Sequence, residues 1–482
     1  MNFSMILRIL GWVLKFEGMF MILPCIVAFI YKESDGYFYF ITAVVSWILG
    51  YLLTKKKVTK KEFYLKEGLI SVSVGWFLLS FFGAFPFFLS GAIPSFSNAL
   101  FESVSGFTTT GASVIKNVEM LSHANLFWRC FTHFIGGMGV LVFILAIIPL
   151  SGGSSIYLMK AESPGPSVTK FVPKIRNSAK ILYLIYIAIT FIEIILLYTS
   201  GMPLFDSITL SFATVGTGGF AIKNDSIASY SPASQWIIVI FMVLCGVNFN
   251  IHFLIIMKKW RDALKSSELK LYFLLIAVST ILISFNIKNI YSNVFEVVRN
   301  AAFQVSSVIT TTGFATVNYD KWPEFSKGIL LILMFIGASA GSTGGGIKVS
   351  RIIIMFKTLK SELEHYLHPK MIKKEKMDGK SLESNVIKSV NAFIIAYIFI
   401  FVISMLLISV DNKDLVTNFT AIAATINNIG PGFSLVGPNE NFGFFSHFSK
   451  YVLIFDMIVG RLELFPVLIL LLPSTWKESF KK

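Results

Sequence analysis

Apolar blocks of membrane-spanning length recur along the whole chain. A transmembrane helix needs about 20 mostly apolar residues, and the sequence contains ten blocks of about that length or longer. The predicted spans are 5–31, 36–54, 67–90, 125–150, 178–201, 234–257, 269–288, 326–357, 386–410 and 448–473. The first block is too long for the core of a signal peptide, lacks a small-residue cleavage site and is followed at once by another span. We therefore expect a polytopic membrane protein.

Four shorter apolar segments lie between these blocks. At about a dozen residues each, they are too short to cross a bilayer, so we expect each to enter and leave on the same side. They cover residues 98–109, 204–215, 299–311 and 415–427. Each ends in a loop rich in Gly, Thr or Asn, and the matching glycines are Gly111, Gly219, Gly313 and Gly430. One such cluster would be an ordinary turn, but four at intervals of roughly 100 residues indicate one structural unit used four times.

The repeated unit consists of a helix, a pore helix, a filter loop and a second helix. The predicted fold class is an all-α polytopic membrane protein, with four fused repeats in a pseudo-fourfold arrangement plus two extra N-terminal transmembrane helices. We place these two helices in residues 1–60 and the repeats in residues 61–160, 161–265, 266–360 and 361–482. The second helix of the third repeat is predicted to be broken.

The chemistry of the four loops favours K⁺. Irregular backbone is tolerated at membrane depth only where it is buried in protein or lines water. Rings of backbone carbonyls replace the hydration shell of K⁺, and glycine adopts the dihedral angles that point a carbonyl at the pore axis. The loops contain no acidic residue, which argues against a divalent-cation site. The predicted selectivity filter consists of Thr110, Gly111, Gly218, Gly219, Thr312, Gly313, Ile429 and Gly430.

The fourth loop leaves one choice open. Gly430 fits the position of the other three glycines, whereas Gly432 aligns better through Phe433. Since each loop has one well-placed glycine, we expect one narrow ring of K⁺ ligands rather than a long row of ion sites. The short helix before each loop would direct the negative end of its dipole toward the cation.

The centre of the eighth block, residues 337–346, consists of small residues that form helices poorly. A phosphate-binding P-loop is excluded because Ile347 separates the glycines from Lys348 and no strand precedes the segment. Close helix packing through small residues is an open alternative. We favour a flexible loop that blocks the pore beneath the third filter loop. The candidate gate residues are Gly341, Gly344, Gly345, Gly346, Lys348 and Arg461.

Ionisable residues occur within the last block. Arg461, Glu463 and Asp456 lie at membrane depth, where charged groups are costly and usually face one another or a cavity. Neither carboxylate is spaced to stack on Arg461 along one helix, so we expect its partner in another repeat, such as carbonyls of residues 337–346. A pair that only sets helix packing and a pore-lining role both stay open. Glu193, alone in the fifth block, is a weaker case.

Composition and charge agree with membrane insertion and indicate an orientation. Of 482 residues, 55% are hydrophobic and only 14% are charged, which is unlike a soluble protein. The net charge of +15 is concentrated around residues 55–66, 160–180, 258–270 and 357–388 and at the C-terminus. By the positive-inside rule these segments and both termini are cytoplasmic, next to anionic lipid, and nucleic acid is a poor partner. Neither the three scattered cysteines nor the pair His365 and His368 forms a complete metal site.

Several longer motifs match one known family, in the same order along essentially the whole chain. They are SVSGFTTTG (103–111), WR (128–129), IGGMG (135–139), GSTGGGIK (341–348), NNIGPG (427–432) and GRLE (460–463). The chain resembles the Trk/Ktr/HKT superfamily of potassium transporters, most closely its bacterial TrkH branch, which shares the two extra N-terminal spans. The resemblance implies K⁺ uptake across the cell (inner) membrane and a gating role for the broken span. It also implies a homodimer and a separate cytoplasmic nucleotide-binding regulatory subunit of the TrkA kind.

Two other functional classes compete with a gated channel. A symporter that couples K⁺ to H⁺ or Na⁺ would use the same fold, and the sequence does not separate the two. A membrane enzyme would need a cluster of catalytic His, Asp or Glu residues at one face, and the sequence contains no such set. We therefore expect no enzyme activity and no cofactor in this chain, with K⁺ as the transported ion.

Overall fold

The computed structural model describes residues 1–55, 64–139, 175–369 and 375–477. Within these ranges the regular elements are helices and one small hairpin. The helices of the first half are α1 (Phe3–Phe20), α2 (Ile22–Tyr31), α3 (Gly36–Thr54), α4 (Leu65–Leu89), α5 (Phe96–Phe107), α6 (His123–Met138), α7 (Ile175–Thr199), α8 (Leu204–Val215), α9 (Pro232–Cys245) and α10 (Phe249–Ile256). Those of the second half are α11 (Trp260–Leu264), α12 (Ser267–Ile287), α13 (Val294–Ile309), α14 (Glu324–Ile336), α15 (Val349–Leu367), α16 (Ser384–Ile408), α17 (Leu415–Ile426), α18 (His447–Arg461), α19 (Phe465–Leu471) and α20 (Pro473–Lys477).

The hairpin is a small departure from the all-α prediction. Strand β1 (Lys376–Met377) pairs antiparallel with β2 (Lys380–Ser381). Asp378 and Gly379 form the turn, with positive φ values of 51° and 78°. A two-residue turn with both φ values positive matches the twist of a hairpin and favours Asp-Gly.

Six helical segments of the described ranges are long and apolar enough to cross a membrane. They are α1 with α2, α3, α4, α7, α12 and α16. Their ends lie within about three residues of the first, second, third, fifth, seventh and ninth predicted spans. The prediction of a polytopic membrane protein is therefore confirmed.

The sixth and tenth predicted spans are not continuous helices, and the sequence did not predict their breaks. Helices α9 and α10 meet at an angle of 95°. Asn248 starts a new helix because its side chain accepts the N–H of Asn250 at 2.9 Å, as a helix cap does. In the tenth span, α18 ends at Arg461, and Glu463 and Leu464 have φ values of 57° and 66° that no right-handed helix contains. Hydropathy does not register such breaks because the flanking residues stay apolar.

The eighth span is broken as expected, since α14 ends at Ile336 and α15 begins at Val349. The fourth span is described only to Gly139, one residue beyond α6. Its remainder lies outside the described residues, as do parts of the basic segments 55–66, 160–180 and 357–388 and the last five residues.

The first two spans form a hairpin held by small residues. A Cβ added to Gly11 would lie 2.7 Å from the carbonyl oxygen of Gly50, and one added to Gly50 would lie 2.6 Å from that of Gly11. Gly18 faces the carbonyl oxygen of Ala43 in the same way, at 2.6 Å. Within a bilayer, small residues let helix backbones approach closely, and the resulting van der Waals contacts drive association. The hairpin packs through α1 and α3 against α4, the first helix of the next segment.

Four short helices, α5, α8, α13 and α17, lie at the centre of the molecule. Their observed ends fall within about five residues of the four short segments found in the sequence. Their C-terminal halves are almost wholly buried, including serine and threonine side chains. Each is followed by a non-helical turn and then by an apolar helix, so the four turns are brought into the protein interior.

Candidate functional site

The turns that follow the four short helices have the same backbone conformation. Each helix is capped by a right-handed residue, and the next residue has a positive φ of 52–58° although it is not glycine. These residues are Thr109, Thr217, Thr311 and Asn428. Two positions later comes a glycine with a φ of 78–100°: Gly111, Gly219, Gly313 and Gly430. Two left-handed residues in a four-residue turn cost free energy, so the surrounding structure must hold each turn in place.

One hydrogen bond is common to all four turns. The N–H of the residue before each glycine donates to a carbonyl five residues earlier, at 2.8–2.9 Å. The donors are Thr110, Gly218, Thr312 and Ile429, and the acceptors are Ser105, Ala213, Ser307 and Ala424. Since these side chains have little in common, the backbone conformation is what the four turns share. All eight predicted filter residues occupy the two matching positions.

The four glycines form a closed ring. A Cβ added to Gly111 would overlap the carbonyl oxygen of Gly218, and a Cβ on Gly219 would overlap that of Thr312. A Cβ on Gly313 would overlap the carbonyl oxygen of Ile429. The ring closes because a Cβ on Gly430 would lie 2.9 Å from the carbonyl oxygen of Thr110. We call Gly111, Gly219, Gly313 and Gly430, with the residue before each, the glycine ring.

At the fourth turn, Gly430 and not Gly432 takes the position equivalent to the other three glycines. Gly430 has a φ of 100° and contacts the first turn. Gly432 has no positive φ, and a Cβ added there would meet Thr420 of its own repeat at 2.8 Å. Glycine is required around the ring for two reasons, the left-handed φ and the carbonyl of the next turn.

The environment of the ring suits a dehydrated cation. A cavity of about 160 Å³ lies against all four glycines, and its lining includes Ser113 and Asn224 as well as charged residues such as Lys223 and Glu440. The C-termini of the four short helices directly precede the turns, so the negative ends of their dipoles lie beside the ring. The hydroxyls of Thr108 and Thr110 are 2.8 Å apart, as are those of Thr310 and Thr312. Carbonyls and hydroxyls are oxygen ligands without a full charge, which a monovalent ion can leave again.

Residues 337–348, which we call the inner loop, contact the ends of the third and fourth short helices. The N–H of Gly345 donates to the hydroxyl of Thr311 at 2.6 Å. A Cβ on Gly345 would overlap the carbonyl of Asn427, and one on Gly344 would lie 2.8 Å from that of Thr310. The inner loop therefore packs directly against the base of the glycine ring, and its glycines permit the close approach.

Other contacts hold the inner loop from the side. The N–H of Phe249, at the bend of the second repeat, donates to the carbonyl of Gly341 at 3.0 Å, and the N–H of Ser339 donates to that of Gly246 at 3.1 Å. The carboxylate of Glu268 accepts the N–H of Ala340 at 2.7 Å and that of Ser350 at 3.1 Å. Glu268 thus joins both ends of the loop. Sequence reasoning missed it because it begins an ordinary-looking helix, α12.

Lys348 ends the inner loop in an unusual conformation. Its φ is 85°, and its ammonium donates to the carbonyl of Gly344. The residue is 2% exposed, so its amino group is held inside the protein against a backbone oxygen. The inner loop is therefore closed on itself by its own last residue.

Arg461 has the inter-repeat partner that the sequence suggested. Its guanidinium donates to the carbonyl oxygen of Thr343 in the inner loop at 2.7 Å. It also donates to the carbonyl oxygens of Gly136 and Gly137 and, at 3.3 Å, to the hydroxyl of Thr109. Arg461 therefore bridges the fourth repeat, the first repeat and the inner loop, directly beneath the ring.

The other ionisable residues of the last span have separate partners. Glu463 forms an ion pair with Arg351 of α15. Asp456 is buried and accepts the hydroxyl of Ser404 at 2.7 Å. Neither residue is at the ring, and Glu193 is buried within α7. A packing role therefore describes Asp456 better than a pore-lining one.

Three polar residues near the ring were not recognised as site residues from the sequence. Glu102, Arg129 and His133 are at most 2% exposed and contact the first and second turns. A signal was present, since two ionised side chains and a histidine fall in otherwise apolar segments. Spacing along the chain does not show that they meet.

Comparison with known proteins agrees with this geometry. The model of the TrkH family, described as a cation transport protein, matches residues 36–479. The chain belongs to the TrkH family. It is a family of transporters and not of enzymes, as the sequence predicted.

Individual TrkH-family proteins are similar over nearly their full length. The Trk system potassium uptake protein TrkH of Escherichia coli K12 is 37% identical over 99% of this chain and 100% of its own. TrkG of the same organism is 33% identical over 97% of each chain. The crystal structure of the potassium transporter TrkH from Vibrio parahaemolyticus superimposes with a TM-score of 0.89 at 32% identity, covering 99% of this chain and 100% of that one. The fold is therefore the TrkH fold.

Proposed function

We propose that this TrkH-family chain takes up K⁺ across the cell (inner) membrane through the glycine ring. The observation that carries the proposal is the closed ring, in which the carbonyls of Thr110, Gly218, Thr312 and Ile429 come from four equivalent turns. K⁺ exchanges its hydration shell for such carbonyls without meeting a carboxylate, and the four turns contain none. Relatives with the same length and fold are named as potassium uptake proteins, which supports K⁺ as the ion.

In this proposal, four fused pore repeats around a pseudo-fourfold axis form the ring. They occupy residues 61–160, 161–265, 266–360 and 361–482, after the N-terminal helices of residues 1–60. Equal cap positions, equal turns and the cyclic order of contacts support this division. The ring forms a single narrow constriction, with the inner loop as the gate beneath it.

The contacts of the inner loop correspond to a closed gate. Gly344 and Gly345 lie against the base of the ring, where they obstruct a path along its axis. Lys348 and Arg461 donate to the neighbouring carbonyls of Gly344 and Thr343, which secures the loop, and the guanidinium charge of Arg461 opposes a cation. Opening then requires these hydrogen bonds to exchange partners or the loop to move with α15.

Partners and orientation complete the proposal. The basic segments face the cytoplasm and anionic lipid, with both termini inside. The homodimer follows the resemblance to the TrkH branch, and a TrkA-like nucleotide-binding subunit fits a sequence without a nucleotide-binding motif of its own. Helix α15 begins at the inner loop and carries the half-buried Lys357 and the exposed Lys360, so a subunit bound there would act on the gate directly.

The proposal is tested by ⁸⁶Rb⁺ uptake into proteoliposomes that contain the purified chain. We expect external K⁺ to compete strongly and Na⁺ weakly, with uptake driven by the membrane potential. Equal competition by K⁺ and Na⁺ would contradict a K⁺-selective ring. Single-channel recording separates the mechanisms, because unitary currents indicate a channel, whereas slow flux that requires an H⁺ or Na⁺ gradient indicates a symporter.

A further inference from the structure

Two side chains of α6 join the first and second turns of the glycine ring. Arg129 and His133 are one helical turn apart and are 2% and 0% exposed. Each contacts both repeats, and neither is one of the ring residues. Their hydrogen bonds link the first repeat to the second.

Arg129 connects the two turns through its planar guanidinium. It pairs with Glu102 of α5 at 2.8 Å, and Glu102 also accepts the N–H of Val114, just beyond Gly111, at 3.0 Å. On its other side Arg129 donates to the carbonyl of Ala221 at 3.1 Å. A fork of donors in fixed geometry can hold two groups at a set separation, which a single ammonium cannot do.

His133 connects the same turns one helical turn deeper. Its Nδ1 donates to the carbonyl of Gly106 in α5 at 2.7 Å, and its Nε2 accepts the N–H of Phe220 at 3.1 Å. Since a carbonyl only accepts and an N–H only donates, these partners define a neutral imidazole with the proton on Nδ1. A Cβ on Gly218 would overlap the ring of His133, so the imidazole also lies against the second turn itself.

The corresponding positions of the other three repeats are apolar. The helices α6, α9, α14 and α18 align by their capping residues, which are Ser122, Ser231, Pro323 and Ser446. A contact supports the alignment, because Gly136 and Gly460, at the same position, face the last carbonyls of α5 and α17. The residues that match Arg129 are Ile238, Leu330 and Leu453, and those that match His133 are Met242, Met334 and Met457. All six are buried.

Polar residues at these two positions are therefore specific to the contact between the first and second turns of the ring. The fold accommodates an aliphatic residue and a methionine at these positions in three repeats, so packing alone does not require Arg or His. We propose that Arg129 and His133 are positioning residues that set the separation of the first and second ring carbonyls and thereby contribute to discrimination between K⁺ and Na⁺. This inference rests on the proposed function of the ring.

Two variants imitate the other repeats. His133→Met places the residue of the other three repeats at this position and leaves the N–H of Phe220 without its acceptor. Glu102→Leu combined with Arg129→Ile reproduces the second repeat, where Leu210 and Ile238 stand, and leaves no lone buried charge. We expect each to lower the K⁺/Na⁺ permeability ratio by about tenfold, as a buried group that loses its hydrogen bond lets the turn relax.

Two further variants serve as rescue and control. His133→Gln retains a donor and an acceptor, and we expect it to keep more of the ratio than His133→Met does. His252→Met makes the same change at a histidine of α10 that bonds the carbonyl of Leu244 and does not touch the ring. We expect this control to leave the ratio unchanged.

The measurement is the reversal potential in K⁺/Na⁺ gradients, on protein that elutes as wild type in gel filtration. An unchanged ratio in the folded variants, or a loss of flux without a change of ratio, would overturn the inference. So would failure of all the Arg129 and His133 variants to fold, since their role would then be structural alone. Gly313→Ser is measured in parallel: if it alters the ratio while the α6 variants do not, the inference fails and the proposed filter stands. If Gly313→Ser also has no effect, the proposed filter itself fails.

Discussion

At the glycine ring four turns with unlike side chains share one backbone conformation, whereas at the inner ends of the following helices the repeats differ from one another. Helix α6 ends at Met138, and α9 bends by 95° into α10. Helix α14 leads into the inner loop, and α18 gives way to the turn of Glu463 and Leu464. These breaks occur at similar distances from the start of each helix, yet among the described residues only the third repeat places a loop against the ring.

The difference follows from the two tasks we propose. A spherical ion in a ring needs equivalent oxygens from every side, so each turn is held to the same dihedral angles and the same hydrogen bond. An obstruction on the axis needs only one segment, so the other three repeats are free to bend or end in other ways. The equivalence of the four ring turns and the divergence of the helix ends can therefore each be tested by separate mutations.

The largest expected effect is at the ring. Gly313→Ser should abolish K⁺ flux or reduce the K⁺/Na⁺ permeability ratio by roughly tenfold or more, because a Cβ disfavours the left-handed φ and overlaps the carbonyl of Ile429. The measurement is ⁸⁶Rb⁺ uptake and reversal potential in proteoliposomes. Gly328→Ser on α14, where a Cβ meets nothing within 4 Å, is the matched control. Normal selectivity in folded Gly313→Ser protein would contradict a filter at this loop.

A smaller effect of opposite sign is expected at the inner loop. Deleting residues 341–344 should raise K⁺ flux several-fold without any regulatory subunit, since the obstruction beneath the ring is shortened while the ring stays whole. The K⁺/Na⁺ permeability ratio should be retained, and this result would distinguish the inner loop from the glycine ring. If the flux falls although the protein elutes normally, the loop is a packing element and not a gate.

The smallest effect is expected from one contact of that loop. Arg461→Ala removes the donor to the carbonyl of Thr343 and a positive charge beneath the ring, so basal ⁸⁶Rb⁺ uptake should rise about two- to five-fold. Arg261→Ala, in the exposed helix α11, changes the same side chain far from the ring and should leave uptake at the wild-type level. Uptake at or below wild type in folded Arg461→Ala protein would reduce Arg461 to a structural residue.

Much of the site could be predicted from the sequence because its signals are local. Three features each depend on ten to twenty consecutive residues: the four short helices, the eight ring residues and the break in the eighth span. The hydropathy and glycine content of such stretches can be read directly from the sequence. The resemblance to the TrkH branch, which the family match bears out, rests on contiguous motifs of the same kind. The same locality explains why the breaks in the sixth and tenth spans were not predicted, since apolar composition continues across each turn.

The sequence by itself determined that this chain is a multi-pass membrane protein with four matched glycine loops and one small-residue break, since burial in lipid and left-handed turns impose their own composition. Only the tertiary structure decided that Gly430 closes the ring, that Arg461 reaches Thr343 and that Arg129 and His133 join two turns. Those contacts link residues about 90 to more than 300 positions apart. Their partners are selected by the packing of whole helices, and no local pattern records which backbone carbonyl a distant side chain will meet.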